Sequence, residues 1–150
     1  MRLMISLITD TPLSVANELR PVLLRLAREL RKETEQFGVT GRQVSLLWLV
    51  KRNPGMPLKE LAEEERISAP ALSGHVDRLE RAGFIERVRS QVDRRRVGLV
   101  LTPAGERLLR RVRERRTAWL AERLGNLVPA ELEAVAAAIA PLMLLVGDGP

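Results

Sequence analysis

Apolar residues recur every three or four positions along most of this chain, which is the spacing of one face of an α-helix. The first such stripe consists of Leu19, Leu23, Leu26 and Leu30. It predicts a helix that opens at Thr11-Pro12, where a proline costs no hydrogen bond, and that runs to about Glu35. Because Pro21 interrupts the stripe, the pattern allows either a kink at this residue or a helix that begins there.

Three further helices follow in quick succession. Thr40-Gly-Arg-Gln43 has the pattern of a capping box and predicts the start of a helix that ends at Asn53-Pro-Gly55. Residues 58–66 predict a short third helix. Only Ile67 separates it from Ser68, whose hydroxyl is suited to cap a fourth helix. Two short helices joined by so tight a turn indicate a helix-turn-helix.

The fourth helix has one apolar and one polar face. The apolar stripe consists of Leu72, Val76 and Leu79. The opposite face carries Pro70, Gly74, Asp77, Arg78 and Arg81. Gly83 stands where this helix should end, because glycine takes a positive φ without a steric penalty. A capped helix with an exposed polar face is suited to enter the major groove of DNA.

The pattern then changes to a period of two. Val97, Leu99 and Leu101 alternate with smaller or more exposed positions and predict a strand with one buried face. With the residues after Phe84 they predict a β-hairpin, whose tip at 90–96 ends in three consecutive arginines. Adjacent like charges repel each other, so an anionic partner explains this tip better than exposure to water does. Such a hairpin suits the narrow minor groove beside the fourth helix.

Two more helices complete the chain. One opens at Thr102 and runs to about Leu124, and the last starts within 127–130 and is kinked or ended by Pro141. Residues 134–146 are apolar nearly all round, which a surface helix should not be, so we expect a partner subunit to cover them. The predicted fold is mainly α with a small two- or three-stranded antiparallel wing: a winged helix-turn-helix plus a helical dimerisation region.

Composition narrows the possible functions. The chain has 150 residues and a net charge of +6, which favours nucleic acid or an anionic membrane surface as partner. We find no stretch of about 18 apolar residues and expect no membrane span, and residues 1–8 lack the cleavage site of a signal peptide. The absence of cysteine fits a cytosolic protein. With a single histidine, we expect no metal site, no catalytic residue, no cofactor and no enzyme activity.

Three motifs carry a resemblance to a known family: residues 76–87, Asp93-Arg-Arg95, and Val100-Leu-Thr-Pro-Ala-Gly105. With the order of elements, they resemble the multiple antibiotic resistance regulator (MarR) family of bacterial transcription factors. The resemblance implies an obligate homodimer, built from the first and last helices of both chains, on a pseudo-palindromic operator in double-stranded DNA. It also implies that Arg95 enters the minor groove and that Asp93 holds it.

The same resemblance implies one domain that spans residues 1–150 and consists of two lobes with different functions. Residues 38–104 would form the DNA-binding lobe, and residues 10–37 and 105–147 the dimerisation lobe. We predict a sequence-specific transcriptional regulator, a repressor released when a small aromatic or anionic effector binds between the lobes. The alternative is an architectural DNA-binding protein without sequence preference or effector control. Either would be cytoplasmic, and associated with the nucleoid when bound to DNA.

Candidate DNA-binding residues lie on the fourth helix and at the hairpin tip. They are Ser68, Pro70, Ser73, Gly74, His75, Arg78, Asp93, Arg94, Arg95 and Arg96. Gly74 is explained either by close approach of the backbone to DNA or as a tolerated gap in the helix. Arg78 and Arg81 either bind phosphate or pair with the neighbouring Asp77 and Glu80.

Three residues are candidates for effector binding: Trp48, His75 and Trp119. The tryptophans are two of only four aromatic residues, and each either fills the core or lines a pocket between the lobes. His75 lies at the edge of the apolar stripe, where it is either a hydrogen-bonded, partly buried histidine or a contact to DNA or effector. The arginines of the long helix form either a solvated face or further contacts to those partners.

Overall fold

A computed structural model describes residues 10–90 and 93–147. The helices are α1 (Pro12–Lys32), α2 (Gly41–Arg52), α3 (Leu58–Glu65), α4 (Ala69–Arg81), α5 (Pro103–Leu124) and α6 (Pro129–Val146), with a 3₁₀ turn at Glu35–Phe37. The strands β1 (Ile85–Arg89) and β2 (Val97–Leu101) pair antiparallel. The prediction of a mainly α winged helix-turn-helix is confirmed, with a wing of two strands. Our expectations for residues 1–8 and for Gln91 and Val92 in the hairpin tip fall outside the described residues.

The helices begin where a side chain can accept the free amides of the first turn. Thr11 forms a capping box with Ser14 at α1, and the predicted box of Thr40 and Gln43 caps α2. At α5 the hydroxyl of Thr102 accepts the amide of Gly105 at 3.1 Å. Caps of this kind stabilise a protein by about 0.5–2 kcal/mol each. These caps fix where α1, α2 and α5 begin.

Two prolines lie inside helices rather than at their ends. The first helix continues through Pro21 from its cap at Thr11, so the earlier of the two predicted starts is correct. It stops at Lys32, short of the expected end, because the 3₁₀ turn follows and Gly38 reverses the chain at a φ of 72°. The last helix continues through Pro141 to Val146, so of the two effects expected of this proline, a kink or the end of the helix, the second is wrong.

The core joins the helix-turn-helix, the wing and the first half of α5. It includes Val44, Leu46, Leu47, Leu61, Leu72, Val76, Leu79, Ile85, Leu99, Leu108, Leu109 and Val112. All three residues of the predicted apolar stripe of α4 are in this set. Burying one such side chain contributes about 1.5–3 kcal/mol. The helix-turn-helix and the wing therefore share one apolar core, to which α5 contributes its N-terminal half.

The wing is attached to the helix-turn-helix by backbone contacts at Gly98. The amide of Gly55 donates to the carbonyl of Leu99 at 2.8 Å, and Pro57 forms an isolated antiparallel bridge with Gly98. A Cβ atom at Gly98 would lie 2.0 Å from the carbonyl oxygen of Gly55. Only glycine permits this approach, so the turn after α2 rests directly on β2.

Neither α1 nor α6 buries a residue within the single chain. Their exposed apolar residues include Leu13, Val22, Leu24, Val135, Ile139, Met143 and Leu144. By length and composition alone, α6 is apolar enough to cross a membrane: its 18 residues have a mean hydropathy of 1.7. Our expectation that the chain contains no such stretch is therefore wrong. An apolar surface of this extent on a soluble protein marks an interaction site.

Two glycine substitutions should change stability in opposite directions. Gly98→Ala should lower the free energy of unfolding by at least about 1–3 kcal/mol, because the new methyl group overlaps the backbone of Gly55. In Gly74→Ala the nearest atom, Nη2 of Arg78, is 3.4 Å away, so the variant should gain about 1 kcal/mol of helix propensity. Urea denaturation at one protein concentration measures both, and an unchanged midpoint for Gly98→Ala would contradict the packing described.

Candidate nucleic-acid interface

The N-terminal half of α4 presents the polar face that the sequence predicts. Ser68 caps the helix, with its hydroxyl oxygen accepting the amide of Ala71 at 3.3 Å. Pro70 and Ser73 are exposed and Gly74 is partly exposed, all on the side away from the core. The buried apolar stripe on the opposite side of α4 packs in the core, so the backbone of this polar face is fixed before any partner binds.

The side chain of Arg78 lies back along α4 over Gly74. Its Nε donates to the carbonyl oxygen of Gly74 at 3.2 Å. The alternative of pairing with Asp77 or Glu80 is wrong, because both carboxylates bind an arginine from the wing instead. Arg78 therefore keeps its guanidinium on the exposed face of the helix, where it remains a candidate phosphate ligand.

The arginine of the wing that binds Asp77 and Glu80 is Arg87, and it links β1 to α4. Its Nη2 is 2.9 Å from Oδ1 of Asp77, and its Nη1 is 2.5 Å from Oε1 of Glu80. The hydrogen bond to Asp77, together with Glu80, raises the pKa of Arg87 above its ordinary value. These groups are partly exposed, so each pair stabilises the fold by about 0–1 kcal/mol. The greater consequence is geometric: one guanidinium sets the angle between the wing and the helix.

At the hairpin tip, Asp93 braces the backbone and one guanidinium. Its Oδ1 accepts the amide of Arg95 at 3.1 Å, and its Oδ2 lies 3.9 Å from Nε of Arg96. The clamp that the resemblance implied on the side chain of Arg95 is therefore made to Arg96, which also approaches Glu60 at 3.7 Å. Among the described residues no carboxylate pairs with Arg94 or Arg95. Both are exposed, so their guanidinium groups are available to an anion.

His75 lies between the exposed face of α4 and the core. Its Nδ1 is buried and has no hydrogen-bond partner among the described residues. The expectation of a hydrogen-bonded histidine is thus wrong for this nitrogen. Burial lowers the pKa of His75 below its ordinary value, and the nearby charges of Arg78 and Arg42 lower the pKa further. The imidazole is therefore neutral at pH 7, and DNA contact by this residue remains a prediction.

A cavity of about 390 Å³ lies between α1, α2 and α5. Trp48 lines it, together with Arg31, Arg52 and Arg116. No carboxylate pairs with these three arginines within the described part of the chain. Burial lowers the pKa of Arg116 below its ordinary value, and the charge of Arg31 adds to this. A positively charged cavity with an aromatic wall is suited to a small organic anion.

The other two candidate effector residues do not line this cavity. His75 belongs to α4, and Trp119 is buried with its ring 3.8 Å from the guanidinium carbon of Arg123. Arg31 and Arg52 of this cavity were not predicted from the sequence, whereas Arg116 is one of the long-helix arginines for which contact with a partner was an alternative. Only Arg52 had a signal in the sequence, because it is one helical turn from Trp48.

These elements together define a winged helix-turn-helix protein. The family model described as MarR family matches residues 39–97. An HTH-type transcriptional regulator of Mycobacterium bovis is 29% identical over 141 residues, which span 94% of this chain and 99% of that protein. The HTH-type transcriptional repressor MdtR of Bacillus subtilis is 29% identical over 126 residues, or 84% of this chain and 79% of that protein. Residues 39–97 therefore match the MarR family, and the relatives that this chain resembles over most of its length are transcriptional regulators rather than enzymes.

A solved structure agrees in fold. A mutant of S. aureus MepR bound to an oligodeoxyribonucleotide superposes with a TM-score of 0.69 at 19% identity, covering 92% of this chain and 99% of that chain. At this identity the comparison concerns the fold alone.

The single histidine allows a direct test of the environment described for α4. We expect the imidazole of His75 to titrate below 6.5 in the native protein, because burial and two arginines disfavour its charged form. As the pH falls below 6.5, the unfolded chain then binds the proton first, so stability is lost on acidification. NMR titration of the imidazole resonances, native and in urea, measures this difference. A native value equal to or above that of the urea-unfolded chain would contradict the burial of Nδ1.

Proposed function

We propose that this protein is a dimeric, sequence-specific DNA-binding repressor that a small anionic aromatic effector releases from its operator. The observation that carries the proposal is the pair of exposed arginines, Arg94 and Arg95, on a hairpin that Arg87 holds against α4. Exposed guanidinium groups at a braced tip suit the negative potential of a minor groove. The adjacent helix presents a flat, polar surface of the size that a major groove admits.

In this proposal the two elements make different contacts. Ser68 and Arg78 bind phosphates, and Ser73 reaches phosphate or a base edge. Pro70 has a short side chain and Gly74 has none, so the backbone of α4 approaches the bases closely at these positions. Arg94, Arg95 and Arg96 contact the neighbouring minor groove, with Asp93 fixing their loop. His75, neutral and half-buried, supports this surface from beneath.

The uncovered helices favour a second copy of the chain as their partner. Residues 10–37 and 105–147 would form the dimerisation lobe, and residues 38–104 the DNA-binding lobe of each subunit. A two-fold axis then brings two α4 helices into successive major grooves, about 34 Å apart. The protein would be located in the cytoplasm and would associate with the nucleoid when it is bound to DNA.

The cavity beside Trp48 supports control by an effector. An anion bound among Arg31, Arg52 and Arg116 would offset their three positive charges where α1 and α5 of the dimerisation lobe meet α2 of the DNA-binding lobe. If the anion binds better when the lobes are displaced, DNA affinity falls by that difference, typically about 1–3 kcal/mol. The effector would then act at the point where the spacing of the two α4 helices is set.

Selection of bound fragments from the host genome tests the proposal and its main alternative together. A specific repressor enriches fragments that share a pseudo-palindrome, whereas an architectural DNA-binding protein enriches none. On the selected site, six to ten phosphate contacts would weaken affinity about 10³–10⁵-fold between 50 and 200 mM salt. Affinity that stays constant over this range would exclude a mechanism based on the arginines.

Removing one wing arginine should weaken operator binding selectively. Arg95→Ala should cost about 1–3 kcal/mol on the selected operator if the guanidinium contacts the groove. The matched control is Arg113→Ala, which removes the same charge from the exposed face of α5. Fluorescence anisotropy with labelled operator measures both variants. Equal affinities for Arg95→Ala and wild type would remove the wing from the mechanism.

An acidic residue on α6 should separate the subunits. Ile139 is 59% exposed in the single chain, and Ile139→Asp would place a charge within the proposed dimer interface. Light scattering should then show a monomer, with operator affinity lost and helical content of the DNA-binding lobe retained. The wild-type protein should be dimeric and should not bind liposomes. A monomeric wild type that binds lipid vesicles would instead favour a membrane as the partner of α6.

A further inference from the structure

Three basic side chains meet on the flank of α4 that faces away from the wing. With about 3.6 residues per turn, His75 and Arg78 fall on one side of the buried stripe of this helix. Asp77 and Glu80 fall on the other side, where the wing binds them. Arg42, at the start of α2, lies near enough for its charge to act on the imidazole of His75. Two helices therefore contribute to one basic cluster, formed by Arg42, His75 and Arg78.

No carboxylate pairs with the basic cluster in residues 10–90 and 93–147. Arg42 and Arg78 are both exposed. One hydrogen bond of 3.2 Å, from Nε to the carbonyl oxygen of Gly74, holds the guanidinium of Arg78 in place. Its other N–H groups have no acceptor in that part of the chain. Two positive charges beside one imidazole oppose its protonation, and a bound anion would offset both of them.

The imidazole of His75 is the group in this cluster whose charge can change. Its Nδ1 is buried without a partner among the described residues, whereas Nε2 is not one of the buried atoms. The charged imidazole carries an N–H on both nitrogens, and no described group of the chain accepts either of them. Burial and the charges of Arg78 and Arg42 lower the pKa of His75, so the free protein holds it neutral at pH 7. An acceptor at Nε2 would have to come from a binding partner.

The DNA backbone reaches this flank when α4 enters a major groove. The groove is about 12 Å wide, and a helix with its side chains is about 10–12 Å across. Phosphates of one strand therefore lie along each flank of the helix. The wing crosses the strand on its own side to reach the neighbouring minor groove, so the other strand passes the basic cluster.

We propose that the basic cluster binds one backbone phosphate of this second strand, and that His75 takes up a proton from the buffer when the phosphate binds. The phosphate oxygens accept hydrogen bonds from the guanidinium groups of Arg42 and Arg78 and from Nε2 of His75. The phosphate also offsets the two positive charges that oppose protonation in the free protein.

The consequence is an operator affinity that depends on pH. At high pH the imidazole is neutral in the free and in the bound protein, so affinity is constant. As the pH falls into the range where only the bound imidazole is charged, affinity rises. The inference rests on the proposed binding of an operator and adds a pH response to it.

The chain has a single histidine, so an NMR titration of the imidazole follows His75 alone. We expect this imidazole to titrate at higher pH in the full-length protein bound to its selected operator than in the free protein. Calorimetry at about pH 6, in two buffers of different ionisation enthalpy, should show proton uptake that approaches one proton per subunit. Within this range the operator Kd should fall by up to about tenfold per subunit for each pH unit.

Arg42→Gln separates the phosphate site from a general effect of DNA. It removes a repulsive charge, so the free imidazole should titrate at higher pH. It also removes a phosphate ligand, so the difference between bound and free protein should shrink. Loss of one phosphate contact per subunit should lower the salt slope of operator binding by about 2 for a dimer. The matched control is Arg113→Gln, on the exposed face of α5, which should leave the difference unchanged.

His75→Gln should lose the rise of affinity on acidification, because glutamine donates a hydrogen bond but does not titrate. The inference is overturned if the imidazole titrates at the same or a lower pH in the complex than in the free protein. It is also overturned if Arg42→Gln leaves that difference unchanged or if His75→Gln keeps the pH response. These results leave the proposed repressor intact while an operator is still selected, whereas a protein that selects no operator overturns both.

Discussion

The fixed relation between α4 and the wing is the constraint on which the DNA-binding account depends. A helix and a hairpin can contact neighbouring grooves only if the angle between them matches the duplex before binding. Arg87 supplies part of this constraint by binding Asp77 and Glu80 of α4 at once. The rest comes from the close contact of Gly98 with the turn after α2 and from the burial of Leu99. Polar and apolar contacts therefore hold the same two elements in one orientation.

The second constraint is that the helix-turn-helix and the wing are tied through α5 to helices that the single chain leaves uncovered. The N-terminal half of α5 packs in the core, while its C-terminal half meets α1, where Arg115 pairs with Glu33 at 2.8 Å. A change in how α1, α5 and α6 pack would therefore move the lobe that carries α4. The cavity beside Trp48 lies against α5. Under the proposed function, a ligand bound there would change the distance between the two α4 helices.

Local features of the sequence predicted most of the fold. The caps at Thr11, Thr40, Ser68 and Thr102 and the stripe of α4 were all recognisable, because caps and helix faces are set by residues within one turn. The site was predictable only in part. Arg87, Arg31 and Arg116 gain their roles from residues distant in the chain, and no spacing rule reveals such partners. The unpartnered nitrogen of His75 depends on the packing of several elements. The sequence of α6 is not a continuous apolar stretch, because Glu131 and Glu133 lie in its first turns.

The most direct test of the central claim is hydroxyl-radical footprinting of the full-length protein on its selected operator. The account predicts a two-fold symmetric pattern, with protected minor-groove positions on either side of two major grooves whose centres are about 10–10.5 base pairs apart. The flanking protection should come from the wings and the spacing from the paired α4 helices. A single protected segment without symmetry, or uniform protection along the fragment, would contradict the arrangement of two helices and two wings.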